Sequence, residues 1–385
     1  MKSIRKYLDK IKPNFEKGGR FQYLGSVFEG FESFLFVPNT TSKCGAHIHD
    51  AIDSKRVISF VIIALLPALI FGMYNIGYQN ALVAGHLSDA TFLGMFFYGM
   101  LQMLPKILVS YIVGLTIEFA WAQWKHEEIQ EGYLATGILI PMVIPVNCPL
   151  WCLALACAFS VIFCKEIFGG TGMNFVNPAL AARAFLFFSY PTVMSGDNCW
   201  VAKDEILGLG YQIADATTAA TPLGAIVQNP DMQIDTMAAV TGLIPGSMGE
   251  TSFIAIALGA VMLLWTGVAS WRIMLSVFVG GGITAALFHS CGASPLTAFQ
   301  QIVLGGFAFG AVFMATDPVT AARTETGKWI YGFLIGVVAV VVRVMNPGYP
   351  EGMMLAILLM NACAPLIDWC VVERNISRRT KRLKK

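Results

Sequence analysis

Long apolar runs separated by short polar stretches dominate the chain, and the lengths of those runs carry more information than their periodicity. A helix needs about 20 mostly apolar residues to cross a bilayer. On that basis the predicted spans are Val57–Gly77, Pro105–Trp124, Leu134–Val146, Leu150–Phe168 and Ala179–Tyr190. Five more follow: Ser252–Trp271, Arg272–Ser290, Leu296–Thr316, Trp329–Met345 and Met353–Cys370. Leu134–Val146 and Ala179–Tyr190 are too short alone, so they are expected to be extended by their flanks or to enter as half-helices. The expected fold is an all-α polytopic membrane protein with ten spans, five on each side of a long non-hydrophobic segment.

Five spans before that segment and five after it require the halves to be inverted relative to each other. Two Gly-rich stretches, GGTGMNFVNPA (169–179) and GGFAFGAVFMATDPVTAA (305–322), recur near corresponding positions, each with Pro after Asn or Asp. Broken helices at such points free backbone groups to line a cavity. The plainer alternative is that Gly and Pro are frequent in membrane helices.

Composition agrees with this picture: 56% of residues are hydrophobic and only 13% charged, against about a quarter charged in soluble domains. The distribution of charge matters more than its sum. The segment up to Arg56 and the tail RNISRRTKRLKK are strongly basic, and the loops predicted on their side contain Lys125, Lys165, Arg272, Arg323 and Lys328. The opposite loops, Tyr78–Leu104, Asn147–Pro149, Pro191–Thr251, Cys291–Pro295 and Asn346–Gly352, contain one Lys or Arg, Lys203. Because Lys and Arg are retained on the cytoplasmic side, both termini are expected there. The division is then a cytoplasmic segment 1–56, a first membrane repeat 57–190 and a periplasmic loop 191–251. A second repeat 252–370 and a basic cytoplasmic tail 371–385 complete the chain. Nothing after the basic start MKSIRKYLDKIKPNFEKGGR resembles a cleavable signal. The cysteines include no CxxC pair and no Cys/His zinc spacing, so most are expected to be small buried hydrophobes. No metal site is predicted, and a cluster would need ligands from another subunit.

Ionisable groups inside spans are costly and tend to mark function. Glu118 lies within the second predicted span and Arg183 within the fifth. Arg343 lies near the outer end of the ninth, where snorkelling outwards is the structural reading. Asp317 ends the eighth, and Asp368, near the end of the tenth, reads as interfacial. A carboxylate at Glu118 must pair, protonate or meet a cation, and Glu118, Asp317 and Asp368 are the ion-path candidates. In GGTGMNFVNPALAAR, Gly169, Gly170 and Gly172 allow close backbone approach, while Asn174 and Asn177 offer amide donors and acceptors. Such amides suit a flavin edge or a quinone carbonyl. Spacing alone favours capping, with Asn177 ahead of Pro178 at the first helical position. No GxGxxG or GxxxxGK[ST] motif is present, so NADH binding would belong to a partner. The stretch DATTAATPL (215–223) clusters three hydroxyls, Thr217, Thr218 and Thr221, in the predicted outer loop. A solvated loop is the bland reading of it.

Several long stretches carry a resemblance: EKGG (16–19), HIHDAIDSKR (47–56), EGYLATGILIPMVIP (131–145), KEIFGGTGMNFVNPALAARAFLFFSYP (165–191), FMATDPVTAARTETGKWIYG (313–332) and RVMNPGYPEGMMLAILLMNACAPLID (343–368). Over nearly its whole length the chain resembles the B subunits of Na+-translocating NADH:quinone reductases. The D subunits of the related Rnf complexes share the fold and the threonine motif but lack the basic N-terminal extension. The resemblance implies a fold of the ammonium- and urea-transporter type. It implies an electron-transfer subunit of a sodium pump that couples flavin-to-quinone electron transfer to Na+ translocation in a bacterial inner membrane. The implied partners are an NADH-oxidising subunit, a second FMN-bearing subunit, a flavin transferase and ubiquinone or menaquinone, with no nucleic acid. The family's flavinylation signature runs Asp, two residues, Ser or Thr, Gly, Ala, Thr. Here it reads Asp215, Ala216, Thr217, Thr218, Ala219, Ala220, Thr221, so resemblance implies FMN on the Thr221 hydroxyl through a phosphoester. Ala219 departs from the usual Gly, which matters if that position needs a positive φ. Riboflavin is implied near Asn174 and Asn177, with Arg183 a further candidate. A stand-alone inverted-repeat transporter is the reading from a different class.

Overall fold

The computed structural model describes residues 2–15, 19–22, 25, 28, 32, 35–36, 44–46, 54–125, 132–197, 199–214, 219–346, 348 and 351–383. Asp215, Thr217 and Thr218 therefore lie outside the described residues.

Among the described residues, six helices are long and apolar enough to cross a membrane, and three shorter apolar helices accompany them. An amphipathic α1 (Lys2–Ile11) precedes α2 (Ser54–Ala84), α3 (Phe92–Lys125), α4 (Tyr133–Val143), α5 (Leu150–Cys164) and α6 (Pro178–Ser189). Two short helices, α7 (Pro222–Gln228) and α8 (Thr236–Thr241), lie in the middle segment. Then come α9 (Phe253–Trp265), α10 (Trp271–Ser290), α11 (Ala298–Val303), α12 (Glu325–Met345) and α13 (Met353–Leu383).

Two predicted boundaries are corrected. The loop expected over Tyr78–Leu104 is mostly helix, because α2 runs on to Ala84 and α3 starts at Phe92. Apolar residues such as Phe92, Leu93, Phe96 and Phe97 continue the run there, and Pro105 lies within α3 rather than at its start. The span expected over Leu296–Thr316 is broken: α11 ends at Val303, Gly305 takes φ 65°, and a separate turn Phe307–Phe309 leads into a π-helical stretch Gly310–Met314. Residues 307–314 are all buried. A backbone free of regular i→i−4 bonding is tolerated at such depth only inside protein.

Large apolar side chains face outwards in helical stripes, such as Trp271, Leu275, Val279, Ile283 and Leu287 on α10. The opposite face of that helix carries Ser276, Gly280, Gly281 and Thr284, all buried. Hydrocarbon outside gives Leu and Ile no reason to turn inward, so association relies on small residues that bring backbones together. A Cβ on Gly280 would overlap the Phe333 backbone of α12, and one on Gly336 would overlap the Val277 carbonyl. Gly77 and Gly99 allow the same approach between α2 and α3.

Part of the packing recurs in the two halves, although the extensive packing of α2 on α3 has no counterpart of like extent between α9 and α10. In the first, α3 packs on α4 and α5, and α5 on α6; in the second, α10 packs on α11 and α12, and α12 on α13. Across the halves, α2 meets α9 and α6 meets α13.

Candidate functional site

The stretch GGTG turns the chain between α5 and α6. Gly169, Gly170 and Gly172 have φ of 115°, 88° and 93°, the left-handed region that Gly alone enters freely. A Cβ at Gly172 would meet nothing within 4 Å. Within the chain, their positive φ is what the turn requires of these glycines. The turn delivers Asn174 and Asn177 to one wall of a cavity of about 160 Å³, whose other walls include Val57 and Ile58 of α2, Ala135, Thr136 and Leu139 of α4, Leu263 of α9, Phe313, and Thr316 to Val319.

Asn177 has two roles there. Its Oδ1 accepts from the Ala179 and Leu180 amides at 3.0 and 3.3 Å, capping α6 ahead of Pro178. Its Nδ2 donates to Asp317 Oδ2 at 3.4 Å. Asp317 also accepts from the Val319 amide at 3.1 Å and the Thr320 hydroxyl at 3.0 Å. Asn174 Oδ1 is buried without a hydrogen-bond partner among the described residues. An orphaned amide oxygen costs about 1–3 kcal/mol, and here it borders a cavity large enough for a ligand donor to reach it. Asn174, Asn177 and Asp317, drawn from distant parts of the sequence, thus meet in one place.

Arg183, two turns along α6, does not join them. It is 4% exposed, donates to Glu250 Oε1 at 2.5 Å and pairs with Glu351. Burial pushes the Glu250 carboxyl up to about 7, against the pull of the Arg183 charge. Neither carboxylate was singled out in the sequence: both sit in Gly-bearing loops, and only the fold turns them inward. Arg183 and Glu351 line a second cavity of about 260 Å³, together with Phe187, Trp200 and Thr221. Thr221 is the N-cap of α7, its Oγ accepting from the Gly224 amide at 3.3 Å, with Pro222 at the first helical position. It also borders a space of about 20 Å³ beside Ser247, Glu250 and Thr251. Among the described residues Leu207 alone outside glycine has positive φ. Ala219 therefore needs no glycine backbone, and its departure from the expected signature costs nothing conformationally. Thr221 itself is extended, with φ −65° and ψ 153°.

The other candidates are dispersed. Glu118 is paired with Lys165, each side chain 4% exposed, and its Oε2 has no partner among the described residues. Lys165, expected as a loop charge, is thus a buried counter-ion. Asp368 accepts from the Arg323 amide (2.7 Å), the Thr324 amide (2.9 Å) and the Thr324 hydroxyl (2.5 Å), pinning the start of α12. Arg343 does not snorkel. It is 5% exposed, bound to Gln301 and to the Glu351 carbonyl, and its guanidinium sits 6.0 Å from the Phe307 ring centre. Lys106, missed because it follows Pro105 at the supposed edge of a span, is buried with its ammonium on the Pro145 and Val146 carbonyls. Cys148, Cys152, Cys157, Cys164 and Cys199 are buried, and no group of three or more His, Cys, Asp or Glu gathers among the described residues.

Long apolar helices whose buried faces carry paired charges and small residues define a multi-pass membrane protein. The chain belongs to the NQR2, RnfD, RnfE family, whose model matches residues 41–377. It is 44% identical to the B subunit of the Na(+)-translocating NADH-quinone reductase of Azotobacter vinelandii, covering 98% of this chain and 99% of the relative. The corresponding B subunit of Chromohalobacter salexigens is also 44% identical, over 98% and 96%. That of Pseudomonas aeruginosa is 41% identical, over 98% and 99%.

Proposed function

We propose that this chain is the B subunit of a Na+-translocating NADH-quinone reductase, the membrane partner in a multi-subunit complex. It takes electrons from flavin-bearing subunits and passes them towards a quinone while Na+ crosses the membrane. Likeness to the named B subunits over nearly the full length carries the reading. The intact Thr221, capping a short helix at the mouth of a cavity, favours it over a stand-alone transporter.

In this reading Thr221 holds FMN through a phosphoester, and riboflavin sits against Asn174 and Asn177. The residues fit. Among the described residues Thr221 Oγ has a single hydrogen bond, from an amide that an ester oxygen still accepts, and Asn174 Oδ1 has no donor. The flavins supply electron transfer when bound, and the protein supplies placement and field. Asn177 and Asp317 fix the cavity wall, and Arg183 fixes the region below Thr221. Glu118, Asp317 and Asp368 remain the acidic groups proposed to face the ion path. The inverted repeat of 57–190 and 252–370, resembling the ammonium- and urea-transporter type, is supported by the recurring packing partners and by a short or broken third element in each half. The outer loop 191–251 and cytoplasmic ends 1–56 and 371–385 in a bacterial inner membrane follow from the Lys/Arg asymmetry.

Thr221→Ala tests the reading. The full chain, co-expressed with its flavin transferase, should lose ultraviolet in-gel fluorescence, while Thr221→Ser keeps part of it because the nucleophilic oxygen remains. Fluorescence surviving in Thr221→Ala, or mapping by peptide mass to Thr217 or Thr218, overturns the assignment.

A further inference from the structure

A guanidinium in the middle of an apolar helix is expensive unless fully paired. Arg183 is paired twice, and the two partners are not equivalent. Glu250 is the deeper, its side chain 6% exposed, whereas that of Glu351 is 18% exposed and lies on the wall of the cavity that Thr221 borders. Both carboxylates face the one guanidinium, and Glu351 is the one that opens onto the cavity. Arg343 also donates to the backbone oxygen of Glu351. Arg183 also lines that cavity itself, as do the aromatic side chains of Phe187 and Trp200.

We propose that Arg183 is the positioning residue for the phosphate of the nucleotide carried by Thr221, exchanging Glu351 for the phosphate while keeping Glu250. This rests on the reading of Thr221 as the attachment point. A phosphodiester on Thr221 Oγ carries one negative charge on two non-bridging oxygens, the geometry that a guanidinium fork binds bidentately. Glu351 holds that place in the bare chain, and its greater exposure lets it turn to water when displaced. Held at the phosphate, the flavin has its swing limited to the ribityl chain.

The test uses the full chain co-expressed with its flavin transferase and purified in detergent. Time-resolved fluorescence anisotropy reads the mobility of the attached flavin, and the Thr221→Ala chain supplies the signal of any other flavin. Arg183→Met alone strands two buried carboxylates and risks misfolding, so the triple variant Arg183→Met/Glu250→Gln/Glu351→Gln removes all three charges together. In it, the fraction of signal depolarised by fast local motion should at least double over wild type. Arg183→Lys should fall between, and Glu351→Gln should be no more mobile than wild type. A purely structural Arg183 would change thermal stability and leave flavin mobility alone. Wild-type anisotropy in the triple variant, with the adduct present by peptide mass, overturns the role of Arg183 and spares Thr221. Absence of an adduct on the wild-type Thr221 peptide overturns both.

Discussion

The pair Glu118–Lys165 offers the sharpest test of how charge is handled inside this bundle. Replacing Lys165 by Met leaves Glu118 at 4% exposure with neither carboxylate oxygen bonded, since Oε2 already lacks a partner among the described residues. Removing one member of a buried pair typically costs about 3–5 kcal/mol. Glu118→Gln is milder, about 1–3 kcal/mol, because the amide oxygen still accepts from the ammonium. In the double variant Glu118→Gln/Lys165→Met no charge remains, so its cost should fall well below the sum of the two. The coupling is measured as a double-mutant cycle on unfolding of the detergent-solubilised chain. Sodium dependence of quinone reduction is followed in parallel on the assembled complex. A Lys165→Met cost within about 0.5 kcal/mol of zero, or strict additivity, would mean the pair is not formed. A wild-type sodium half-saturation in Glu118→Gln would reduce Glu118 to a structural residue.

Three further outcomes are expected. Reporters placed after Lys385 and near Asn229 should lie in opposite compartments, and finding both on one side would refute the ten-span arrangement. Asn174→Leu should release non-covalent flavin with little loss of stability, because its orphaned Oδ1 bonds nothing among the described residues; Asn177→Leu should lose flavin and, with the α6 cap, about 1 kcal/mol. Wild-type flavin content in Asn174→Leu would exclude it from the site. The carboxyl of Glu250 is raised from 4.5 to about 7 in the fold, so between those values the folded chain binds more protons than the unfolded one and stability falls as pH rises. That contribution is complete below about pH 4.5 and gone above about pH 7. Glu250→Gln should flatten the thermal-stability profile over that window, and an unchanged slope would contradict the assignment.

Apolar run length found most of the membrane helices because the bilayer imposes that length. It failed where polar residues sit inside the protein. Lys106 looked like the edge of a span, and the helix α3 in fact begins at Phe92. The break after α11 was legible only as a Gly-rich stretch, since Gly marks both packing and bending in membrane helices. The clustering of Asn174, Asn177 and Asp317 was half legible: each residue stood out, yet Asn177 and Asp317 meet across a separation of 140 positions in the chain. The partners of Arg183 were invisible, because nothing local distinguishes Glu250 or Glu351 from loop carboxylates.

The two cavities are built from different parts of the chain and differ in what lines them. The first, with Asn174 and Asn177, lies at the start of α4, near the beginning of α2 and the loop before α6. The second region, below Thr221, adjoins the far end of α4, where Gly249 donates to the Met142 carbonyl at 2.9 Å and Ser247 to that of Val143 at 3.4 Å. Its lining comes from the turn leading into α9 and from Glu351, in the loop before α13. The larger cavity beside it is lined by Arg183 and Phe187 of α6, by Thr221, Gly224 and Gln228, and by Glu351. The chemistry then differs as the ligands do. Two amides and the Asp317 carboxylate line the cavity proposed for riboflavin, which carries no phosphate, and a guanidinium with an exchangeable carboxylate lies where a phosphate is proposed to be held. The charge that makes Arg183 costly in an apolar helix is thus what distinguishes a nucleotide site from a riboflavin site.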